Sequence, residues 1–386
     1  MEKICLVATI PAVVHAFLRG HAQAAAEKYE VTVICNSADK HLLNDLSGRL
    51  ILLPIKRKPS PLGDALVLLQ LFRLFRCERF DIVHSHMPKT GLLGMLAAWL
   101  AGIPIRINTF HGEVWVTRSG WRRAALKLID RLIVLLATNI LVVSLSQKRF
   151  LESEGVLPPN TAKLIGAGSV CGVDTTRFHP DKIIGNKMRN NLGIANDAHV
   201  ILFVGRLNHD KGMLDLAAAF GKIAKYHSNV VLLLVGSEED VPFVKMQEIC
   251  CAAADRLYHV NFSANPEHYM MLADIYCLPS YREGFGMTII EAAACAVPTV
   301  ASRIHGIADA VADGKTGFLF PAGDVEALTK CLLKLIVEKD LRQQMGEKAR
   351  HRANRLFSSK KIIGETMMFY DRLIVQRLHK HGKMSD

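Results

Sequence analysis

"REGFGMTIIEAAACAVPTVAS", residues 282–302, reads as a glycine-rich loop, then a helix of small residues, then a short β-branched run. Loop glycines let backbone N–H groups approach a ligand closely, and the helix start that follows has a dipole end that favours anions. Ile290, Ala293, Ala294 and Val297 recur at i, i+3, i+4 and i+7, so this stripe packs on a sheet. Glu291 lies off the stripe near the ligand end, and Glu283 sits in the loop. Loop, helix and strand in this order make one step of a parallel α/β sheet.

The same alternation runs from one end of the chain to the other. Strand candidates are "ICLVA", "VTVIC", "LILLP", "DIVHSH", "IRINTF" and "ILVVS" in the first half, and "VILFVG", "VVLLLVG", "IYCLPS" and "PTVAS" in the second. They are nearly all apolar, as parallel strands covered on both faces by helices should be. A chain of 386 residues exceeds the size at which one core stops growing, so two domains are expected. Strand and helix signals lapse at "GVDTTRFHPDKIIGN" (172–186) before a new alternation begins. The class is therefore α/β, doubly wound twice over, with domains at 1–180 and 181–386 and a last helix able to pack back on the first.

Composition narrows the class further. With 50% hydrophobic and 22% charged residues the chain can bury both cores. The longest apolar candidate, "LIVLLATNILVV" (132–143), is too short to span a bilayer and carries Asn139. "MEKICLVATIPAVV" opens with one lysine against one glutamate and has no small-x-small cleavage site, so it reads as a buried first strand. Nine cysteines, without metal-ligand spacing, indicate a reduced cytosolic chain. Residues 1–182 hold 23 Lys and Arg against 14 Asp and Glu, so the basic excess belongs to the first half. No nucleic-acid motif accompanies it, which favours an anionic membrane surface or a phosphorylated substrate over nucleic acid.

In open parallel sheets, ligands bind beyond the carboxyl ends of the strands. "FVGRLNHDKG" (203–212) places Arg206 just after a strand and Lys211 just before Gly212 and a new helix. Two fixed cations there suit a diphosphate; the alternative is a solvated loop with incidental charges. Glu291 could complement the helix dipole or accept hydrogen bonds from ribose hydroxyls, and Glu283 could hold sugar hydroxyls. Spacing alone leaves both open.

Together, "VGRLNHDKG", "LADIYCLPSYREGFGMTIIEAAACAVPTVAS" and "GIADAVADGKTGFLFPAGDVEAL" resemble the retaining glycosyltransferases of family 4, across essentially the whole second half. Their fold is GT-B: two Rossmann-like doubly wound domains with an interdomain cleft as the active site. Glu283 and Glu291 meet the family's E-x7-E signature. The first half is similar at "DIVHSHMPKTG", "NTFHGEV", "VVSLSQ" and "GVDTTRFHP", and "GSVCGVD" is similar to the branch that builds bacterial O antigens and capsules on lipid carriers. The family's paired glycines after the first strand are replaced by "ATIPAVVHAFLRG", so that loop has no assigned role.

The resemblance implies roles. Arg206 and Lys211 would hold the diphosphate of a nucleotide sugar. Glu283, with the amides of Gly284, Phe285, Gly286, Met287 and Thr288, would grip the donor sugar and phosphate. Glu291 would bind ribose, and His111 would reach the donor sugar from the N-terminal domain. No D-x-D motif occurs, so no obligatory metal and no other cofactor is expected. His84 and His86 lack a third ligand nearby and read as strand packing with a cleft contact.

Two other patterns fail their context. "GAGSVCG" (166–172) leads into "VDTTRFHP" instead of a helix, and a glycosidase reading of the glutamates would leave Arg206 and Lys211 without a task. "EVWVTRSGWRRAALKLIDRLIVLLATN" (113–139) joins Trp115, Trp121, Arg118, Arg122, Arg123 and Lys127 to an apolar continuation. Such a mix suits a membrane interface, and "KRKPSPLGDALVLLQLFRLFR" (56–76) adds a second candidate; an ordinary core helix with a basic edge is the alternative.

The expected activity is retaining transfer from a nucleotide donor, UDP-linked, to a glycan on a lipid diphosphate carrier at the inner face of the cytoplasmic membrane. A sugar-nucleotide epimerase of the same architecture and a catalytically silent nucleotide-sugar-binding subunit are the alternatives.

Overall fold

The computed structural model describes residues 1–380, which divide into two compact units. The first is Met1–Cys171 together with the last helix, Ser359–Lys380; the second is Gly172–Ser358. The change of unit thus falls ahead of residue 180. It falls there because Val173 N–H donates to Phe357 O at 2.7 Å, so the chain enters and leaves the second unit side by side. Gly172 makes this possible at φ +69, since a Cβ would stand 2.6 Å from Phe357 O.

In the first unit the strands are β1 (Lys3–Val7), β2 (Glu30–Cys35), β3 (Arg49–Leu52), β4 (Ile82–His86), β5 (Ile105–Phe110), β6 (Asn139–Val142) and β7 (Ala162–Leu164). They form one parallel sheet in the order β3-β2-β1-β4-β5-β6-β7. Successive side chains point to opposite faces. Cys5, Val7 and Val83 therefore pack on the helices Pro61–Glu78, Pro88–Leu100 and Gly120–Leu136. Ile4, Leu6 and Ile82 pack on the other face with Val14, Leu18 and, from the last helix, Phe369, Tyr370, Leu373 and Ile374.

The second unit has β8 (His199–Val204), β9 (Val230–Val235), β10 (Leu257–Val260), β11 (Ile275–Leu278), β12 (Thr299–Ser302) and β13 (Gly317–Phe320). Their order is β10-β9-β8-β11-β12-β13, again all parallel. β10 (LYHV) and β13 (GFLF) are not among the strand candidates named above. Both are sheet edges, paired on one side, and neither requires a long apolar run. The order reverses between β8 and β11, and that switch point is where an open α/β sheet binds its ligand.

Close approach of two strand ends shapes this place. Gly205 follows β8 and Gly236 follows β9, and a Cβ on Gly236 (φ +146) would lie 1.9 Å from Gly205 O. Gly236→Ala must push the strand ends apart, and the backbone angle alone costs about 1–3 kcal/mol. We expect a lower urea midpoint than wild type; an unchanged midpoint would show that the strand ends yield freely.

Candidate nucleotide-sugar site

The loop after β8 is built to present two cations. Arg206 follows Gly205, and the side chain of Asn208 accepts the backbone N–H of Lys211 at 3.0 Å, closing the short 3-10 turn His209–Lys211. Gly212 ends it at φ +70, and a Cβ there would stand 2.1 Å from Pro279 O, just past β11. The two loops are tied further. Tyr281 N–H donates to Asp210 O at 2.8 Å, and Arg282 pairs with Asp210 at 2.7 Å.

The loop after β11 brings the acidic partner. Lys211 is ion-paired with Glu283, which also accepts the Ser280 hydroxyl at 3.1 Å. Arg206 is held in the same way by both carboxylate oxygens of Glu239, which takes a further 2.6 Å bond from Asn208. Both cations thus have carboxylates facing them. Arg206 is about half exposed, whereas Lys211 and Glu283 are largely covered. Glu239 escaped the sequence reading because it lies in "GSEED", although its place just after β9 is itself a signal.

Gly284–Thr288 turn into the helix Met287–Ala294 through Gly286 at φ +70, and Gly286, which stands at the cap position, has no side chain to offer. Phe285 is buried edge to face on Phe357, so it offers a ligand only its backbone. Behind the loop, Gly306 approaches so closely that a Cβ would meet Gly284 O at 2.3 Å. Thr288 accepts the hydroxyl of the buried Tyr276 at 2.6 Å.

Glu291 sits one turn into this helix, partly buried, and its carboxylate has no hydrogen bond from the described residues. Burial raises its pKa to about 7; Arg177 opposes the shift and Glu267 adds to it. Arg177 is itself bound to Glu267 at 2.7 Å. A buried carboxylate without donors has acceptor capacity left unused. Arg206, Lys211, Glu283, Gly284–Thr288 and Glu291 therefore share one end of one sheet.

His111 belongs to the first unit, just past β5. Its Nε2 lies 2.9 Å from Nδ1 of His86 at the end of β4. His84 is fully engaged, with Tyr370 Oη at 2.6 Å and Thr109 Oγ1 at 2.7 Å, as a packing histidine would be. Burial lowers the pKa of all three rings, that of His111 to about 4. Among the described residues no group of three or more His, Cys, Asp or Glu is placed to hold a metal.

Three of the residues expected to face a membrane are turned elsewhere. Trp115 is fully buried, stacked on Phe150 with its indole N–H donating to Asp130 at 2.7 Å. Arg123 and Lys127 lie over the Trp115 ring and pair with Glu154 at 2.9 and 2.7 Å. The indole needs a buried acceptor, and Asp130 supplies one from the core side of the helix. Arg118, Trp121 and Arg122 are exposed, and Trp121 begins a stripe with Leu128, Leu132 and Leu135 along the helix Gly120–Leu136. Leu62, Leu66 and Leu69 form a similar exposed stripe on Pro61–Glu78, preceded by exposed Lys56–Lys58. No helix among the described residues is long and apolar enough to cross a membrane.

Comparison with known proteins gives the family and the fold. Residues 185–352 match the family described as Glycosyl transferases group 1, and residues 13–168 match the Glycosyl transferase 4-like domain. The chain is 30% identical over 356 residues to the capsular polysaccharide biosynthesis glycosyltransferase CapM of Staphylococcus aureus, covering 92% of this chain and 93% of the relative. It is 26% identical over 324 residues to an Escherichia coli UDP-Gal:alpha-D-GlcNAc-diphosphoundecaprenol alpha-1,3-galactosyltransferase, covering 82% of each. Its fold superposes on the crystal structure of Anabaena HepE in complex with UDP with a TM-score of 0.79, at 21% identity over 96% of this chain and all (100%) of that one. The chain belongs to the group 1 glycosyltransferases and is a hexosyltransferase of the GT-B fold.

Proposed function

We propose that this enzyme moves a sugar from a UDP-linked donor, with retention of anomeric configuration, to a hydroxyl of a glycan carried on a lipid diphosphate during surface-polysaccharide synthesis. The observation that carries the donor side is the pair Arg206 and Lys211 at the β8–β11 switch point, beside Glu283 and the undonated carboxylate of Glu291. UDP in the HepE structure and the lipid-diphosphate acceptor named for the E. coli relative support the choice of donor and acceptor.

As the bond to phosphate breaks, positive charge grows on the sugar ring and negative charge on the departing diphosphate. Arg206, Lys211 and the amides of Gly284–Thr288 meet that negative charge in place, so they stabilise the transition state more than the ground state. In this reading they supply the charge that a metal supplies elsewhere, and turnover survives chelation by EDTA. The diphosphate displaces Glu239 and Glu283 from the cations. Glu283 is then free for sugar hydroxyls, Glu291 accepts the ribose hydroxyls, and His111 serves the hydroxyls of the transferred sugar. The exposed Trp121 and Leu62 stripes with their neighbouring cations serve as the anionic-membrane face that brings the enzyme to a lipid acceptor.

A panel of nucleotide sugars, with nucleotide release followed with and without lipid-linked acceptor, tests the whole reading. We expect release from one UDP-sugar to depend on acceptor; release without any acceptor would favour plain hydrolysis, and conversion of the donor alone would favour an epimerase. Arg206→Ala and Lys211→Ala should each lower kcat by roughly 10² to 10³. Unchanged turnover in both would remove the diphosphate role.

Ribose hydroxyls donate to an ionised Glu291, and its folded pKa stands near 7, so UDP affinity should rise with pH through 7 and then level. Between pH 6 and 8 the gain from this group is about tenfold, and it vanishes in Glu291→Gln, which retains the nucleotide's own titration. Calorimetry showing the same pH profile for both proteins would contradict the ribose assignment.

Co-sedimentation with phosphatidylglycerol vesicles should fall with added salt, and fall further in Trp121→Glu with Leu128→Glu. Trp115→Phe should lower the thermal midpoint and leave vesicle binding unchanged. The reverse pattern would return the membrane face to Trp115.

A further inference from the structure

The histidines of the first unit form a chain of which the donor reading uses one end. His86 closes β4 and His111 follows β5, its paired neighbour, and the rings meet edge to face with centroids 5.1 Å apart. A single hydrogen bridges His86 Nδ1 and His111 Nε2 across 2.9 Å, so one ring donates and the other accepts. Burial keeps both rings neutral near pH 7, and each carries one N–H.

Two arrangements satisfy the bridge. If the hydrogen sits on His111 Nε2, His86 must carry its own on Nε2, which is buried with no hydrogen-bond partner among the described residues. Orphaned buried N–H donors are rare, rarer than under-satisfied acceptors. If the hydrogen sits on His86 Nδ1, His86 Nε2 is a bare acceptor and His111 keeps its hydrogen on Nδ1. That arrangement buries no donor unpaired. Nδ1 of His111 has no partner among the described residues, and this ring is the more exposed of the two.

The ring that would do the donating is held firmly. His86 packs on His84 with centroids 4.1 Å apart and the rings tilted by 35°, and His84 is fixed between the hydroxyls of Tyr370, from the last helix, and Thr109. We infer that His86 is a positioning residue: it donates Nδ1–H to His111 Nε2 and so makes His111 present an Nδ1–H donor to an oxygen of the transferred sugar. The ligand's identity rests on the donor reading above; the tautomer does not.

Nitrogen NMR of histidine-labelled protein reads the tautomer directly, with His111→Gln for assignment. We expect His111 with hydrogen on Nδ1 and a bare Nε2. In His86→Leu that ring should become a mixture of tautomers, and kcat/KM for the donor should drop about 10- to 100-fold, the scale of losing the partner that orients a functional histidine. UDP affinity should stay unchanged. His86→Asn places an amide N–H near the position of Nδ1 and should restore both the tautomer and most of the rate. Hydrogen on His111 Nε2 in the unaltered protein, or an unchanged tautomer in His86→Leu, would overturn the inference. An Nδ1–H tautomer in a protein that turns over no nucleotide sugar would uphold the positioning and sink the donor reading.

Discussion

The pairing of β8 with β11 is the constraint from which the site of the second unit follows. Ile201 and Leu202 lie in register with Ile275 and Tyr276, so the loops that leave these strands must meet. Arg206 and Lys211 leave one strand and Glu283 leaves the other. The residues come from segments about seventy positions apart, and no local signal could join them. The joining is done by backbone hydrogen bonds, reinforced where Gly212 and Gly306 admit contacts that a Cβ would block.

Electrostatics then decides how such a site survives without ligand. Two cations facing one another's field at a strand end repel, and each is matched by a carboxylate: Arg206 by Glu239, Lys211 by Glu283. These pairs are partly exposed, so they add little to stability. Their consequence is positional, since they hold both cations at the strand ends, where the proposed diphosphate would take over from the carboxylates. Glu291 shows the opposite condition, a carboxylate whose burial is not offset by donors and whose proton is correspondingly held to about pH 7.

Much of this was legible in the sequence, and the exceptions have physical reasons. The glycine loop before "MTIIEAAACAV" and the basic loop after "VILFV" are local patterns, and the structure builds both as read. Glu239 was not legible, because its partnership with Arg206 depends on β9 lying beside β8. Trp115 misled because a tryptophan among cations has the composition of an interface. Its burial is decided by Asp130, which supplies the buried acceptor that an indole N–H requires. β10 (LYHV) and β13 (GFLF) did not stand out because each is a four-residue run at a sheet edge, too short to be told from the loops around it. His86 carries no signature at all until β4 and β5 pair and set it against His111.

In the proposed reaction the switch point of the second unit exchanges its carboxylate counterions for a pyrophosphate. A crystal structure with UDP bound tests it most directly. The pyrophosphate is expected on the Arg206 guanidinium, the Lys211 ammonium and the amides of Gly284–Thr288, with ribose hydroxyls on Glu291 and Glu239 released from Arg206. A nucleotide bound elsewhere, with Arg206 still clasped by Glu239 and Lys211 by Glu283, would contradict it.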